Sequence, residues 1–175
     1  MATRALTLRL GGARDVAAVR TDLNALRTEL QTLRTEFGAR ITAMENSVKF
    51  AMPVHFAFDD ASVRAEDQAA LDRFASVVNK FYNGAEITVA GFADPAGSAR
   101  YNLALSRRRA DAVREYIVGK GVSDQLVRTV GYGEARQVRP GAAGNAQDAE
   151  LNRRVVFVIE TPGAGTATTA ALSGQ

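Results

Sequence analysis

Three copies of one seven-residue pattern occupy the stretch before residue 40: Val19-Arg-Thr-Asp-Leu23, Leu26-Arg-Thr-Glu-Leu30 and Leu33-Arg-Thr-Glu-Phe37. Apolar residues fall at Val16, Val19, Leu23, Leu26, Leu30, Leu33 and Phe37, with spacings that alternate three and four. A helix gathers such positions onto one narrow stripe, and a sustained seven-residue repeat is the seam of a left-handed coiled coil. Val16, Leu23, Leu30 and Phe37 take the a positions, and Val19, Leu26 and Leu33 take d. Arg20, Arg27 and Arg34 then fall at e, with Asp22, Glu29 and Glu36 at g. In a parallel neighbour Asp22 and Glu29 meet Arg27 and Arg34, five residues on. The seam continues as Ile41, Met44 and Val48 after a stutter, and Gly38 weakens the helix there. The expectation is a coiled-coil stalk over 13–49 that forms a parallel homo-oligomer. Leucine at a disfavours the dimer code, which favours a trimer. The alternative is one amphipathic helix lying on its own domain.

Ahead of the stalk, residues 5–10 alternate and end in Gly11-Gly12, so 1–12 reads as a disordered leader or, alternatively, a lone strand cut from an upstream barrel. From residue 53 the apolar period drops to two. Val54, Phe56 and Phe58 share one face of a first core strand. Leu71, Phe74 and Val78 mark a helix over 66–81, and Glu86–Gly91 is a second strand. Ser98–Lys120 is a long helix stopped by Gly121, followed by strands at Leu126–Val130 and Val155–Ile159. The order βαβαββ predicts an α/β (α+β) sandwich over 50–160: a mixed sheet of about four strands with helices on one face. Residues 161–175 (TPGAGTATTAALSGQ) are low in complexity and predicted to form a disordered tail.

Composition removes several functional classes. The chain of 175 residues has no cysteine and one histidine, His55, which excludes disulfides, thiol nucleophiles and cysteine- or histidine-rich metal sites. No cofactor is expected. No run of about 18 apolar residues is present to span a membrane as a helix. Without a signal-peptide core, the chain is either cytoplasmic or the mature part of an exported protein. The net charge of +3 lies wholly in residues 1–49, which hold eight Lys/Arg against five Asp/Glu. Residues 50–160 hold fourteen of each sign, so the globular part lacks the basic footprint of a nucleic-acid binder.

The candidate chemistry lies around residues 91–110. Asp94 sits in the loop between a strand and a helix, where functional groups are commonly placed. Asn102 and Arg109, seven residues apart, point within about 20° of each other. They lie on one edge of a stripe read as Ala99, Leu103, Ala110, Val113 and Ile117. Arg100, Arg107 and Arg114 share the other edge, and Arg108 points outward. On these residues alone, Asp94 is a turn residue and Arg109 a surface ion-pair partner of Asp111 or Glu115. His55 is a packed or partly exposed histidine.

Taken together, Phe56-Ala-Phe-Asp59, Gly91-Phe-Ala-Asp94, Gly97, Asn102-x-x-Leu105-Ser106, Arg109-Ala110, Gly131-Tyr-Gly-Glu134 and Asn152-Arg-Arg-Val155 resemble, in order, the OmpA-like C-terminal domain family. That domain also occurs in peptidoglycan-associated lipoproteins and flagellar stator proteins, and the resemblance covers about 110 of the 175 residues. It implies a non-enzymatic domain at the periplasmic face of the outer membrane or in the cell envelope, whose partner is the peptidoglycan stem peptide. Asp94 and Arg109 stand at the spacing of the aspartate and arginine that hold diaminopimelate in that family. Asn102, Asp59 and Arg153 are further candidates. Many members carry histidine and threonine where this chain has Phe92 and Ala93, which implies a changed pocket floor or ligand preference. An enzyme acting on the wall would need a nucleophile–base pair or two close carboxylates, and no such set stands out. The alternative function is a coiled-coil scaffold whose groove no longer binds the wall.

Overall fold

The computed structural model describes residues 2–44, 47–52 and 54–160. Its first element is a helix, α1 (Ala2–Thr35), followed by strands β1 (Arg40–Met44) and β2 (Ser47–Ala51). Helix α2 (Ala65–Phe81), strand β3 (Glu86–Gly91) and helix α3 (Ala99–Gly119) come next. A short 3-10 turn, Asp124–Leu126, leads into β4 (Val127–Gly131), and α4 (Ala149–Asn152) precedes β5 (Val155–Glu160). The strands form one mixed sheet in the order β1-β2-β5-β3-β4, in which β3 and β4 are parallel and the other neighbours antiparallel.

The helices cover one face of this sheet. Ile87 and Val89 of β3 and Val155, Phe157 and Ile159 of β5 point to that face, as their period of two requires. There they meet Leu71, Phe74 and Val78 of α2 and Ala110, Val113 and Ile117 of α3. Phe74 is central: its ring lies 4.0 Å from Phe157 and 5.4 Å from Phe50. Two glycines let α3 close on the strand ends. A Cβ at Gly91 would stand 2.0 Å from the Ser106 carbonyl oxygen, and one at Gly131 2.7 Å from the Arg107 nitrogen.

The expected sandwich with helices on one face is present, and four sequence expectations change in detail. First, the N-terminal helix ends at Thr35, short of the 13–49 expected for a stalk. Gly38 takes the left-handed conformation (φ 66°), the Ala39 N–H returns to the Leu33 carbonyl, and residues 40–51 form a hairpin. Ile41, Met44 and Val48 therefore belong to strands, and the sheet begins at Arg40 instead of 50. Second, residues 2–12, read as a disordered leader or a lone strand, belong to helix α1.

Third, the strand read over 54–58 is reduced to one bridge, His55 to Arg154. Val54 and Phe56 are buried as expected, whereas Phe58 is exposed. The regular pairing with β5 is made upstream by β2, from Ser47 opposite Glu160 to Phe50 opposite Phe157. Proline at 53 has no N–H for a ladder. Fourth, Ala110, Val113 and Ile117 of α3 are buried as read, but the upper part of the buried stripe runs through Asn102, Leu105, Ser106 and Arg109, with Ala99 and Leu103 exposed. Reading only apolar residues misplaced that stripe, because its upper half is polar. The disordered tail expected over 161–175 lies outside the described residues.

Candidate functional site

At the carboxyl ends of the parallel pair β3 and β4, loops and the first turns of α3 enclose a small cavity of about 150 Å3. Asp59, Ala93, Asp94, Asn102 and Arg109 are among the residues that line it, with Phe58 and Tyr101 at its side. Four of the five sequence candidates thus meet in one place. The fifth, Arg153, stands behind Asp94.

Asp94 is buried and held on both oxygens. Oδ1 accepts the Ala96 N–H at 2.9 Å, an Asx turn that shapes the loop, and Oδ2 accepts from Arg153 Nη1 at 2.8 Å. Arg153 is itself anchored, donating from Nε to the Phe56 carbonyl and from Nη1 to that of Gly144. Its role is to fix Asp94 from behind, a role that sequence spacing could not give.

Arg109 is fully buried, contrary to its reading as a surface residue. Nε donates to the Asp60 carbonyl at 2.8 Å, Nη1 to Phe92 at 3.2 Å and Nη2 to Ala57 at 3.1 Å. The guanidinium lies 5.2 Å from the centre of the Phe56 ring. Among the described residues no carboxylate comes within 4.0 Å of it; Asp111, one expected partner, pairs with Arg107 instead. Burial first, and the Arg153 charge second, depress its pKa to about 10. It stays protonated at neutral pH, as a buried cation whose charge no acid in direct contact offsets. A guanidinium carries five N–H donors, so two remain beyond the three carbonyl bonds.

The other candidates shape the rim. Asn102 donates to Glu134 Oε2 at 2.6 Å, which fixes its amide at the pocket wall. Asp59 takes a left-handed backbone (φ 58°) and accepts the Tyr101 hydroxyl. Glu134 and Tyr101 escaped the sequence reading as site residues, although Glu134 closes the quoted Gly131-Tyr-Gly-Glu134 segment. Ser106 links helix to loop: its hydroxyl accepts the Gly133 N–H at 2.8 Å. Phe92 does not floor the pocket. Its side chain turns to the other face of the sheet and stacks on Tyr132, while Ala93 lines the cavity. Around the pocket the acids Asp59, Asp94 and Glu134 stand with two arginines, Arg109 and Arg153. The arrangement suits a small ligand carrying both charges, and no nucleophile–base pair is present among the lining residues.

Fold and pocket together define a small α/β binding domain. Residues 55–152 match the model of the OmpA family, and the chain belongs to that family, whose members are structural and anchoring proteins rather than enzymes. A peptidoglycan-associated lipoprotein of Rhizobium meliloti is 41% identical over 106 residues, 61% of this chain and 58% of that protein. Outer membrane porin F of Pseudomonas aeruginosa is 37% identical over 119 residues, 67% of this chain and 33% of the porin. The chain thus spans little more than half of the first relative and a third of the second. Among solved structures, the peptidoglycan-associated lipoprotein of Burkholderia pseudomallei superposes with a TM-score of 0.54 at 29% identity, over 65% of this chain and 88% of that one. No described helix is long and apolar enough to cross a membrane.

Proposed function

We propose that the chain binds peptidoglycan without covalent attachment. In this reading the 150 Å3 pocket receives the free amino-acid end of diaminopimelate in the stem peptide. The carrying observation is the buried Arg109, with unused donors and no carboxylate against it, in the same cavity as Asp94. The ligand carboxylate takes the remaining N–H groups of Arg109, and the ligand ammonium lies against Asp94, which Arg153 holds in place. Asn102 and Asp59 supply hydrogen bonds at the wall and mouth. A cavity this small admits a chain end, not a whole disaccharide-peptide. A position in the cell envelope, on the periplasmic side, follows from this reading and is supported by relatives named as a peptidoglycan-associated lipoprotein and an outer membrane porin.

The second half of the proposal is a parallel homo-oligomer, trimer before dimer, joined through α1 so that several heads engage the wall at once. Its support is an unpartnered stripe: Val16, Val19 and Leu23 are 59%, 59% and 61% exposed. Leu33, in contrast, is fully buried; with Leu26, Leu30 and Phe37 it packs on the domain's own core. Glu29 likewise bridges to Arg73 of α2 at 2.7 Å. The lower heptads thus lie on their own domain, and only the upper part is left for a neighbour.

Co-sedimentation with purified walls tests the wall-binding half. Walls carrying diaminopimelate should pull the chain down. Walls carrying lysine at the same position should not, since the side chain then ends in an ammonium with no carboxylate for Arg109. Equal binding to both would favour a glycan contact, and binding to neither would leave the scaffold reading.

A further inference from the structure

Among the described residues no helix covers the opposite face of the sheet, where Ala90, Phe92 and Val156 form a small buried cluster with Ala51 and Tyr132. Outward side chains of β1, β2, β5 and β3 line a groove of about 650 Å3, in which Ala51, Val138 and Val158 offer apolar surface, Ala90 and Val156 lie buried beneath, and Glu160 stands at the edge beside Arg128. At one end four side chains stack in sequence. The Arg154 guanidinium lies 4.1 Å from the centre of the Phe92 ring, Phe92 and Tyr132 stack at 5.3 Å, and Arg136 lies 4.9 Å over Tyr132. Arg40 and Lys49 stand on the β1–β2 side.

These cations lack acids. Among the described residues no carboxylate lies within 4.0 Å of Arg40, Lys49, Arg136 or Arg154, whereas Arg128 on the same face is met by both Glu86 and Glu160. Arg136 also holds a left-handed backbone (φ 58°), a costly conformation for a residue with a Cβ. Its carbonyl accepts from Arg154 Nη2 at 2.9 Å, which ties the two ends of the stack together. With that backbone one guanidinium lies on Tyr132, while the other lies on Phe92.

We propose that this groove docks an acidic polypeptide segment of another protein. Apolar side chains of that segment rest on Ala51, Val138 and Val158, and its carboxylates meet Arg136, Arg154, Arg40 and Lys49. Charge complementarity argues for an acidic partner. Arginines and aromatics beside apolar side chains are the composition of protein interface centres. A flat bilayer cannot reach the floor of a concave groove. Residues 161–175, which follow β5, contain no Asp or Glu and cannot supply the side-chain charges. The groove shares no lining residue with the Asp94–Arg109 pocket, so this site stands apart from the wall-binding proposal.

The test is amide chemical-shift mapping on the isotope-labelled full chain. The probes are a capped peptide of about four Val-Glu repeats, its Val-Lys counterpart, and phosphatidylglycerol vesicles. The acidic peptide should produce saturable shifts in 88–92, 132–138 and 154–158, weakened roughly tenfold or more by an about tenfold rise in salt. The basic peptide and the vesicles should be silent on that face. Arg136→Gly should lose most of the binding and melt no lower than the parent, because glycine removes the left-handed strain along with the charge. Lys49→Ser, on an exposed strand position, should weaken binding with the fold unchanged. Three results would overturn the proposal: no shifts on this face, equal shifts from both peptides, or binding that survives both substitutions. Vesicle binding with a silent acidic peptide would also overturn it. Diaminopimelate binding by Arg136→Gly should match the parent, which separates failure of this site from failure of the pocket.

Discussion

Asp94 and Arg109 carry opposite charges into one pocket without bonding each other, and what holds each one sets its response to substitution. Asp94 is fixed by Arg153 and a loop amide, so Asp94→Asn keeps the shape and one acceptor while removing the charge. Wall binding should fall by about 2–5 kcal/mol, the usual cost of truncating a desolvated charge pair, with circular dichroism unchanged. Arg109 also ties together the Asp60, Ala57 and Phe92 carbonyls. Arg109→Met strands three acceptors, each worth about 1–3 kcal/mol if left unpaired, so the urea midpoint should drop as well as binding. A midpoint equal to wild type would contradict the structural part of this role. Arg108→Ala, on the exposed side of the same helix, should change neither. His55 offers an independent test, since burial, the largest cause, lowers its pKa against the raising effect of Glu150 and Asp67. The unfolded chain then takes up the proton first, and stability should decline as pH falls through about 6.5. Asp60 and Asp72, lowered by hydrogen bonds from Ser62 and from Lys120 and Tyr116, lose their contribution only at more acid pH, below about 4. His55→Gln should therefore flatten the melting temperature between about pH 7 and 5, and an unchanged slope would assign the loss elsewhere.

The elements were unequally legible. Strands β3, β4 and β5 and helices α2 and α3 announce themselves through uninterrupted periodicity, and their bounds fall within a residue or two of those read from the sequence. The β1–β2 hairpin did not, because Phe37, Ile41, Met44 and Val48 keep a spacing of three and four across it. Only Gly38, in the left-handed region, marks the true end of the helix. The same repeat hides a division within α1. Leu33→Ala, at a fully buried position, should destabilise the chain by about 2–5 kcal/mol. Leu23→Ser, at an exposed one, should leave unfolding within about 0.5 kcal/mol of the parent but lower the mass measured by light scattering. A monomeric mass for the unaltered chain at tens of micromolar would remove the oligomer and leave the head untouched.

At the scale of the whole molecule, the sheet separates two surfaces of different chemistry. The helix-side rim carries a pocket that holds acids and arginines together, and the opposite face carries cations and stacked aromatics. The pocket's members were readable because their types and spacing match an ordered family pattern. How they divide the work was not, since Arg153 reaches Asp94 from 59 residues away and the polar stripe of α3 has no hydrophobic period to betray it. The central claim is that this pocket recognises an amino acid's paired charges. Calorimetric titration of the full chain with free diaminopimelate, beside Nα-acetyl-lysine amide, examines it most directly. The acetylated lysine offers the side-chain ammonium without an adjoining carboxylate. Saturable binding of diaminopimelate, at least about tenfold tighter than the lysine derivative and lost in Asp94→Asn, is the expected result. A folded wild-type chain that binds neither ligand, or both equally, would contradict the claim.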